Sequence, residues 1–236
     1  MIDTSKEKQY IDEKQIIEAL HLLKPRNELF EIRIIKGKEI LSGYFFNPEV
    51  LVQELKKQNL ENANVYCTLQ MLHLGCSARL QFNRFINTSK DKVPTTSDND
   101  VVMYKYIPID LDPVRPSGIS STEEELKGAF ELSAQIEAYM KEQGFRNHIR
   151  AFSGNGYHLL YPCKIANDEE GKSQVHNYLN RLDELFSNND CHVDTTLYNP
   201  ARILKLYGTL AQKGRDTNDR PHRMSKIMGV VNEKDR

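Results

Sequence analysis

The chain of 236 residues carries 39% hydrophobic and 28% charged residues with a net charge of −1, the profile of a globular protein rather than a disordered or fibrous one. Its length is ample for a sizeable core, in one large domain or in two closely packed small ones. No apolar run approaches the roughly 18 residues that a membrane-spanning helix needs, and the near-neutral charge excludes a global basic field.

Residues 12–24 place Ile16, Ile17, Leu20, Leu22 and Leu23 at a mostly helical period, and Pro25 ends that helix. Residues 29–36 and 40–46 are rich in β-branched and aromatic side chains and flank Gly37-Lys38, which predicts a hairpin. Asn47-Pro48 then supplies an N-cap and a first-turn proline for a helix to about residue 58 that buries Val50, Leu51 and Leu55. Residues 65–72 read as one further strand. The Thr, Ser, Asn, Asp and Lys of residues 87–100 mark either a connection between two halves or a mobile surface loop.

Residues 104–116, Tyr-Lys-Tyr-Ile-Pro-Ile-Asp-Leu-Asp-Pro-Val-Arg-Pro, form an apolar strand that ends at Pro113 and Pro116. Alternation puts Ile107, Ile109 and Leu111 on one face and Asp110 with Asp112 on the other. Two carboxylates so placed repel one another, and a divalent cation relieves them; Asp-X-Asp beside prolines also occurs in plain loops. Residues 121–124 have capping-box spacing, and Leu126, Phe130, Ser133, Ile136 and Met140 predict one face of a long helix that stops at Gly144.

The segment 147–162 has two apolar runs around Ser153-Gly154-Asn155-Gly156 and predicts a second hairpin, with His158 and Leu160 sharing a face. A helix follows with Val175, Tyr178, Leu179, Leu182, Leu185 and Phe186 on its apolar side, closed by Asn188-Asn189. Cys191-His192-Val193-Asp194 is a short strand ending in a third acid. From residue 107 the order is strand, helix, strand, strand, helix, strand, a pattern that permits a sheet with helices on one face.

The polar N-terminal residues lack an apolar signal core, and Cys67, Cys76, Cys163 and Cys191 contain no Cys-X-X-Cys pair. A reducing, cytoplasmic setting is therefore expected, without a zinc knuckle or a disulfide framework. Residues 202–226 contain Arg202, Lys205, Lys213, Arg215, Arg220, Arg223 and Lys226 against only Asp216 and Asp219, which makes them a candidate phosphate-facing patch or a solvated face.

Asp110, Asp112 and Asp194 together offer hard oxygen donors for Mg²⁺ or Mn²⁺, the cations that assist in-line phosphoryl transfer. Gly154 and Gly156 let a backbone approach closely, and His158 is a donor for a phosphate oxygen, although it also suits a structural role in a half-buried strand. Asp194, next to Thr195 and Thr196, alternatively caps a turn.

In these motifs the chain resembles the archaeo-eukaryotic primase (AEP) superfamily, the primase-polymerases, and is most similar to those of phages, plasmids and other mobile or CRISPR-linked bacterial loci. The superfamily signature of hydrophobic-Asp-X-Asp/Glu, small-X-His and hydrophobic-Asp is met by Ile109-Asp110-Leu111-Asp112, Gly156-Tyr157-His158 and Val193-Asp194, in order. Ser42-Gly43-Tyr44-Phe45, Asn199-Pro200-Ala201-Arg202 and Tyr207-Gly208-Thr209 extend the likeness over most of the chain.

The resemblance implies an α+β catalytic core of two modules, about 1–100 and 101–236, the second similar to an RNA-recognition fold (RRM-like), with the active site in the cleft between them. It implies that Asp110, Asp112 and Asp194 hold two Mg²⁺ or Mn²⁺ ions. Ser153, Gly154, Asn155, Gly156 and His158, with Arg202, Lys205 and Lys213, would bind the nucleotide triphosphate. Arg115 would face a primer or initiating nucleotide, and Tyr44 or Phe46 would stack on template bases. The implied activity is DNA-dependent primer synthesis and extension from NTPs or dNTPs on single-stranded DNA, with helicase or CRISPR and mobile-element replication proteins as partners and no membrane. The same acids also suit a two-metal nuclease or phosphohydrolase, and the fold a non-catalytic, nucleotide-binding replication initiator.

Overall fold

The computed structural model describes residues 8–25 and 28–232. The ends of the polar N-terminal stretch and of the charged C-terminus, residues 1–7 and 233–236, lie outside the described residues.

The first sheet grows from local signals. Asp12 accepts the Gln15 N–H and starts α1 (Glu13–Leu23), which buries Ile16, Ala19, Leu20 and Leu23. Gly37, at φ +59°, turns β1 (Phe30–Lys36) into β2 (Glu39–Phe45), and Asn47 caps α2 (Pro48–Lys56). Phe30, Ile32 and Ile34 pack against α1 and α2 through Ile16, Leu20, Leu51 and Leu55. The opposite face carries a polar network: fully buried Glu31 accepts from Arg33, from the Ser42 hydroxyl and from the Thr96 N–H. Thr96 thus ties the connection 87–100 to the sheet, and that connection holds α3 (Thr88–Asp91) after β5 (Ile86–Asn87).

The strand expected over 65–72 is two strands in two different sheets. β3 (Asn64–Thr68) pairs with β1, whereas β4 (Met71–Leu72) pairs with β6 (Val101–Pro113). The break falls where buried Lys24 donates to the Leu69 and Gln70 carbonyls and the Gln70 side chain accepts from the Lys105 and Tyr106 N–H groups. These bonds replace ladder partners across the gap.

The second sheet follows the expected alternation: β6, α4 (Glu123–Glu142), β7 (Asn147–Phe152), β8 (Tyr157–Ala166), α5 (Glu169–Phe186) and β9 (Cys191–Val193). Its central order is β9-β6-β8-β7, with β13 (Lys226–Asn232) beyond β7 and β4 beside the other half of β6. The two helices contact one another and the sheet, and Leu126, Leu132, Ile136, Val175, Leu179 and Leu182 join Ile107, Ile109 and Leu111 in the larger core. The capping box lies one residue later than its expected position: Thr122 and Glu125 exchange the bonds, because Ser121 is buried against Asn155. Phe130 and Leu185 are exposed rather than core, and Ala129 and Leu132 fill the α4 face instead.

The chain then returns to the first sheet, where β10 (Ile203–Lys205) pairs with β3, while β11 (Leu210–Ala211) and β12 (Arg223–Met224) form a separate two-stranded sheet. Residues 1–100 and 101–236 therefore each contribute strands to both large sheets, through β4 in one direction and β10 in the other.

Candidate active site

The acids gather because three antiparallel neighbours bring them to one face. Asp110 on β6 stands opposite His158 on β8, and Leu111 opposite Val193 on β9. The Asp194 N–H donates to the Asp110 carbonyl at 2.9 Å, so Asp110 has His158 on one side and Asp194 on the other. Asp112 follows two residues along β6 on the same face. Together these four line a cleft of about 160 Å³ whose opposite wall is Asn64, Tyr66 and Lys205 from the first sheet, with Arg202 and Lys213 at its margin.

Electrostatics separates the two β6 acids. Burial opposes ionisation of Asp110, but the charge and hydrogen bond of His158, backed by Lys213 and Arg115, hold its carboxyl below the usual range. At Asp112, burial and the charge of Asp110 outweigh Lys213 and Arg115 and push the carboxyl up. Arg115 itself does not reach outward toward a primer. Its guanidinium folds back onto Asp112 Oδ1 at 2.8 Å and onto the Pro113 and Ile119 carbonyls, with only 5% of the side chain exposed.

Asp194 caps the turn 195–198, with Oδ1 accepting from the Thr196 N–H and hydroxyl, and lines the cleft as well. His158 is buried, with Nδ1 2.7 Å from the Tyr207 hydroxyl and Nε2 3.3 Å from Asp110 Oδ1.

The two glycines of the 153–156 turn lie tight against neighbouring segments. A Cβ at Gly156 would lie 2.3 Å from the Leu111 carbonyl oxygen, and one at Gly154 (φ +97°) 2.4 Å from Ala211 Cβ. Both glycines serve close packing against the protein itself. Ser153 donates to the Gly156 carbonyl, and Asn155 accepts from the Ser121 N–H; these two residues line the cleft.

The basic segment divides instead of forming one patch. Arg220 and Arg223 clamp Glu125 and Glu123 at the start of α4, whereas Arg202, Lys205 and Lys213 reach the cleft. Arg202 is exposed and donates to the Thr196 carbonyl. Lys205 is buried, donates to the Leu210 carbonyl at 2.9 Å and lies 5.7 Å from the Tyr66 ring centre. Burial, with the charge of Lys213, lowers its pKa to about 7. Tyr44 is unavailable for stacking: it is fully buried and bonded to Thr96 and Arg79. Phe46 is half-buried against Phe82.

Asn64, Tyr66 and the His158 partner Tyr207 join the site although their local sequence marks no chemistry. Tyr207 stands in Tyr207-Gly208-Thr209, but nothing local distinguishes Asn64 or Tyr66, which reach the cleft because β3 faces β6 across it.

Carboxylates in this cleft fit a hard divalent cation. Among the described residues, Asp110 Oδ2 and Asp194 Oδ2 accept no hydrogen bond, and Asp112 is disfavoured as an anion by Asp110, a cost that a cation offsets. No group of three or more His, Cys, Asp or Glu among the described residues forms a ready-made metal cage. None of the helices among these residues is long and apolar enough to cross a membrane.

No family model matches the chain, and no curated protein does. Among solved structures it is similar to the AEP domain of the cyanophage S-2L primase-polymerase, at 16% identity and a TM-score of 0.54, covering 95% of this chain and 94% of that one. At this identity the likeness speaks for architecture, and it spans both sheets and the cleft between them. The chain has the α+β fold of an archaeo-eukaryotic primase domain.

Proposed function

We propose that this chain is a nucleotidyltransferase of the primase-polymerase kind, joining nucleotides on a single-stranded DNA template. The observation that carries this reading is the placement of Asp110, Asp112, Asp194 and His158 across one small cleft from Lys205, with Arg202 and Lys213 beside them. Acids on one wall and cations on the other match a substrate whose reacting oxygen must be activated while its leaving group gathers negative charge.

In the reaction, a 3′-hydroxyl gives up its proton to solvent, its oxygen bonds to the α-phosphorus of a nucleoside triphosphate, the bond from that phosphorus to the oxygen bridging to the β-phosphate breaks, and pyrophosphate leaves with that oxygen. Asp110, Asp112 and Asp194 are the residues that would hold Mg²⁺ or Mn²⁺. Such ions, when bound, lower the pKa of a hydroxyl and neutralise phosphate charge. Lys205, Lys213 and Arg202 receive the triphosphate and the charge of the departing pyrophosphate. His158, its Nε2 3.3 Å from Asp110 Oδ1 on the cleft wall, would donate to an entering phosphate oxygen. Arg115, bonded to both Asp112 oxygens, neutralises that acid before a cation or nucleotide arrives.

The test is incubation with Mg²⁺ or Mn²⁺, NTPs or dNTPs, and a labelled single strand, with and without an annealed primer. Primer extension that Asp110→Asn abolishes supports the proposal, and dinucleotide formation without a primer identifies priming. Degradation of the strand without extension overturns it in favour of a nuclease. Triphosphate binding with neither synthesis nor degradation overturns it in favour of a nucleotide-binding initiator.

A further inference from the structure

The segment 210–214 runs from β11 to the loop that follows β6, and it is gripped at both ends. Asn64, the first residue of β3, bonds the Gln212 backbone twice. The Gln212 N–H donates to Asn64 Oδ1 at 2.9 Å, and Asn64 Nδ2 donates to the Gln212 carbonyl at 2.8 Å. The Gln212 side chain is buried and holds the turn before β3: Nε2 donates to the Leu60 and Ala63 carbonyls, and Oε1 accepts the Asn62 N–H. At the other end the Ser120 hydroxyl donates to the Lys213 carbonyl, and a Cβ on Gly214 (φ +68°) would lie 2.7 Å from the Gly118 carbonyl oxygen. Lys213 stands between these two holds. Among the described residues no side chain bonds its ammonium, so its place in the cleft is fixed through its backbone.

The Asn64 amide has one orientation that fits its neighbours. Turned over, it would set its NH₂ group against the Gln212 N–H and its oxygen against a carbonyl. As placed, Asn64 Oδ1 also lies 3.4 Å from Nζ of Lys205, which donates to the Leu210 carbonyl at 2.9 Å. One neutral side chain thus supports both buried-wall cations, touching the backbone beside Lys213 and the ammonium of Lys205. The acidic wall is built separately, by the pairing of β6 with β8 and β9.

We infer that Asn64 is a positioning residue for the phosphate chain of the substrate: through the Gln212 backbone it sets Lys213, and through its own oxygen Lys205, on the wall that faces the acids. The inference rests on the proposed function for the identity of that ligand.

The probe is inorganic tripolyphosphate with Mg²⁺, which has the charges of a triphosphate without base, sugar or template. In Asn64→Ala its affinity, measured by calorimetry, should fall about tenfold, and the KM for nucleoside triphosphate should rise by about as much with kcat changed less. The rise in unfolding temperature caused by Mn²⁺ should stay as in the parent, because the acids are held by other strands. In a Lys213→Met background the Asn64→Ala loss should shrink to about threefold or less, since Asn64 acts through Lys213. Unchanged tripolyphosphate affinity overturns the inference, as does a parent that does not bind this probe. So does a loss of the Mn²⁺ effect together with affinity, which marks a general structural role, or an undiminished loss in the Lys213→Met background. Should Asn64→Ala not fold, Asn64→Ser is read in the same way. If the parent binds tripolyphosphate but incorporates no nucleotide, the functional reading fails, while the affinity comparison still decides whether Asn64 places the two lysines.

Discussion

Asp110 and His158 face each other directly across the β6–β8 pair, with Nε2 3.3 Å from Oδ1. The contact is a cross-strand pair, so it forms with the sheet and needs no ligand to assemble it. On the other side of Asp110, Asp194 is placed by the same means, through its backbone bond to the Asp110 carbonyl. A site built in this way has its acidic wall set by strand pairing.

Asp110→Asn, Asp112→Asn and Asp194→Asn are each expected to lower nucleotide incorporation by about a hundredfold or more, with double variants little worse than single ones. Asp112→Asn should also lower the unfolding temperature, because it leaves the buried Arg115 guanidinium without its carboxylate partner. Single-turnover incorporation and thermal unfolding measure the two effects. A variant with more than about a tenth of parental activity would remove its residue from the site.

Divalent cation binding should be visible without catalysis. Mn²⁺ is expected to raise the unfolding temperature of the parent by mass action, and to leave the Asp110→Asn/Asp112→Asn double variant unmoved. Arg115→Met should strengthen the Mn²⁺ effect, since Arg115 occupies both Asp112 oxygens. In the absence of metal it should cost about 1–3 kcal/mol through the lost bonds to Asp112 and to two carbonyls. Unchanged stability in Arg115→Met would mean that the side chain faces outward.

Lys205 links stability and nucleotide binding to pH. Its folded-state pKa is lowered to about 7, so the native protein releases this proton well before the unfolded chain does, near 10.5. The unfolded state then binds more protons, and stability rises with pH from about 7 to 10.5, by on the order of a few kcal/mol. Lys24, lowered by burial to about 8, adds to the rise above that pH. Lys205→Met should flatten the lower part of this profile in urea titrations. Triphosphate binding above pH 7 should take up a proton, which calorimetry in buffers of different ionisation enthalpy detects; equal heats in all buffers would exclude the link.

Gly154→Ala and Gly144→Ala separate packing from backbone strain. Both glycines have positive φ, +97° and +91°, but only Gly154 would push a Cβ into Ala211 and the Arg223 carbonyl. Gly144→Ala should cost about 1 kcal/mol, and Gly154→Ala about 1–3 kcal/mol more. Equal losses in chemical denaturation would show that the turn has room.

What the sequence by itself determined are the features that repeat over a few residues. Strand alternation put Asp110 and Asp112 on one face, the runs around residues 153–156 made the hairpin that carries His158, and Val193-Asp194 ended a strand, so the acidic wall was legible before any fold was known. Tertiary structure alone decided which partners the long side chains found. Arg220 and Arg223 reach Glu125 and Glu123 from about a hundred residues away, Arg115 closes on Asp112, Tyr44 is buried, and Lys24 and Gln70 divide an apparently continuous strand between two sheets. The reason is physical: local sterics and two-residue periodicity act within a strand, whereas the partner of a flexible cation and the burial of Lys205 depend on which distant surface closes over it.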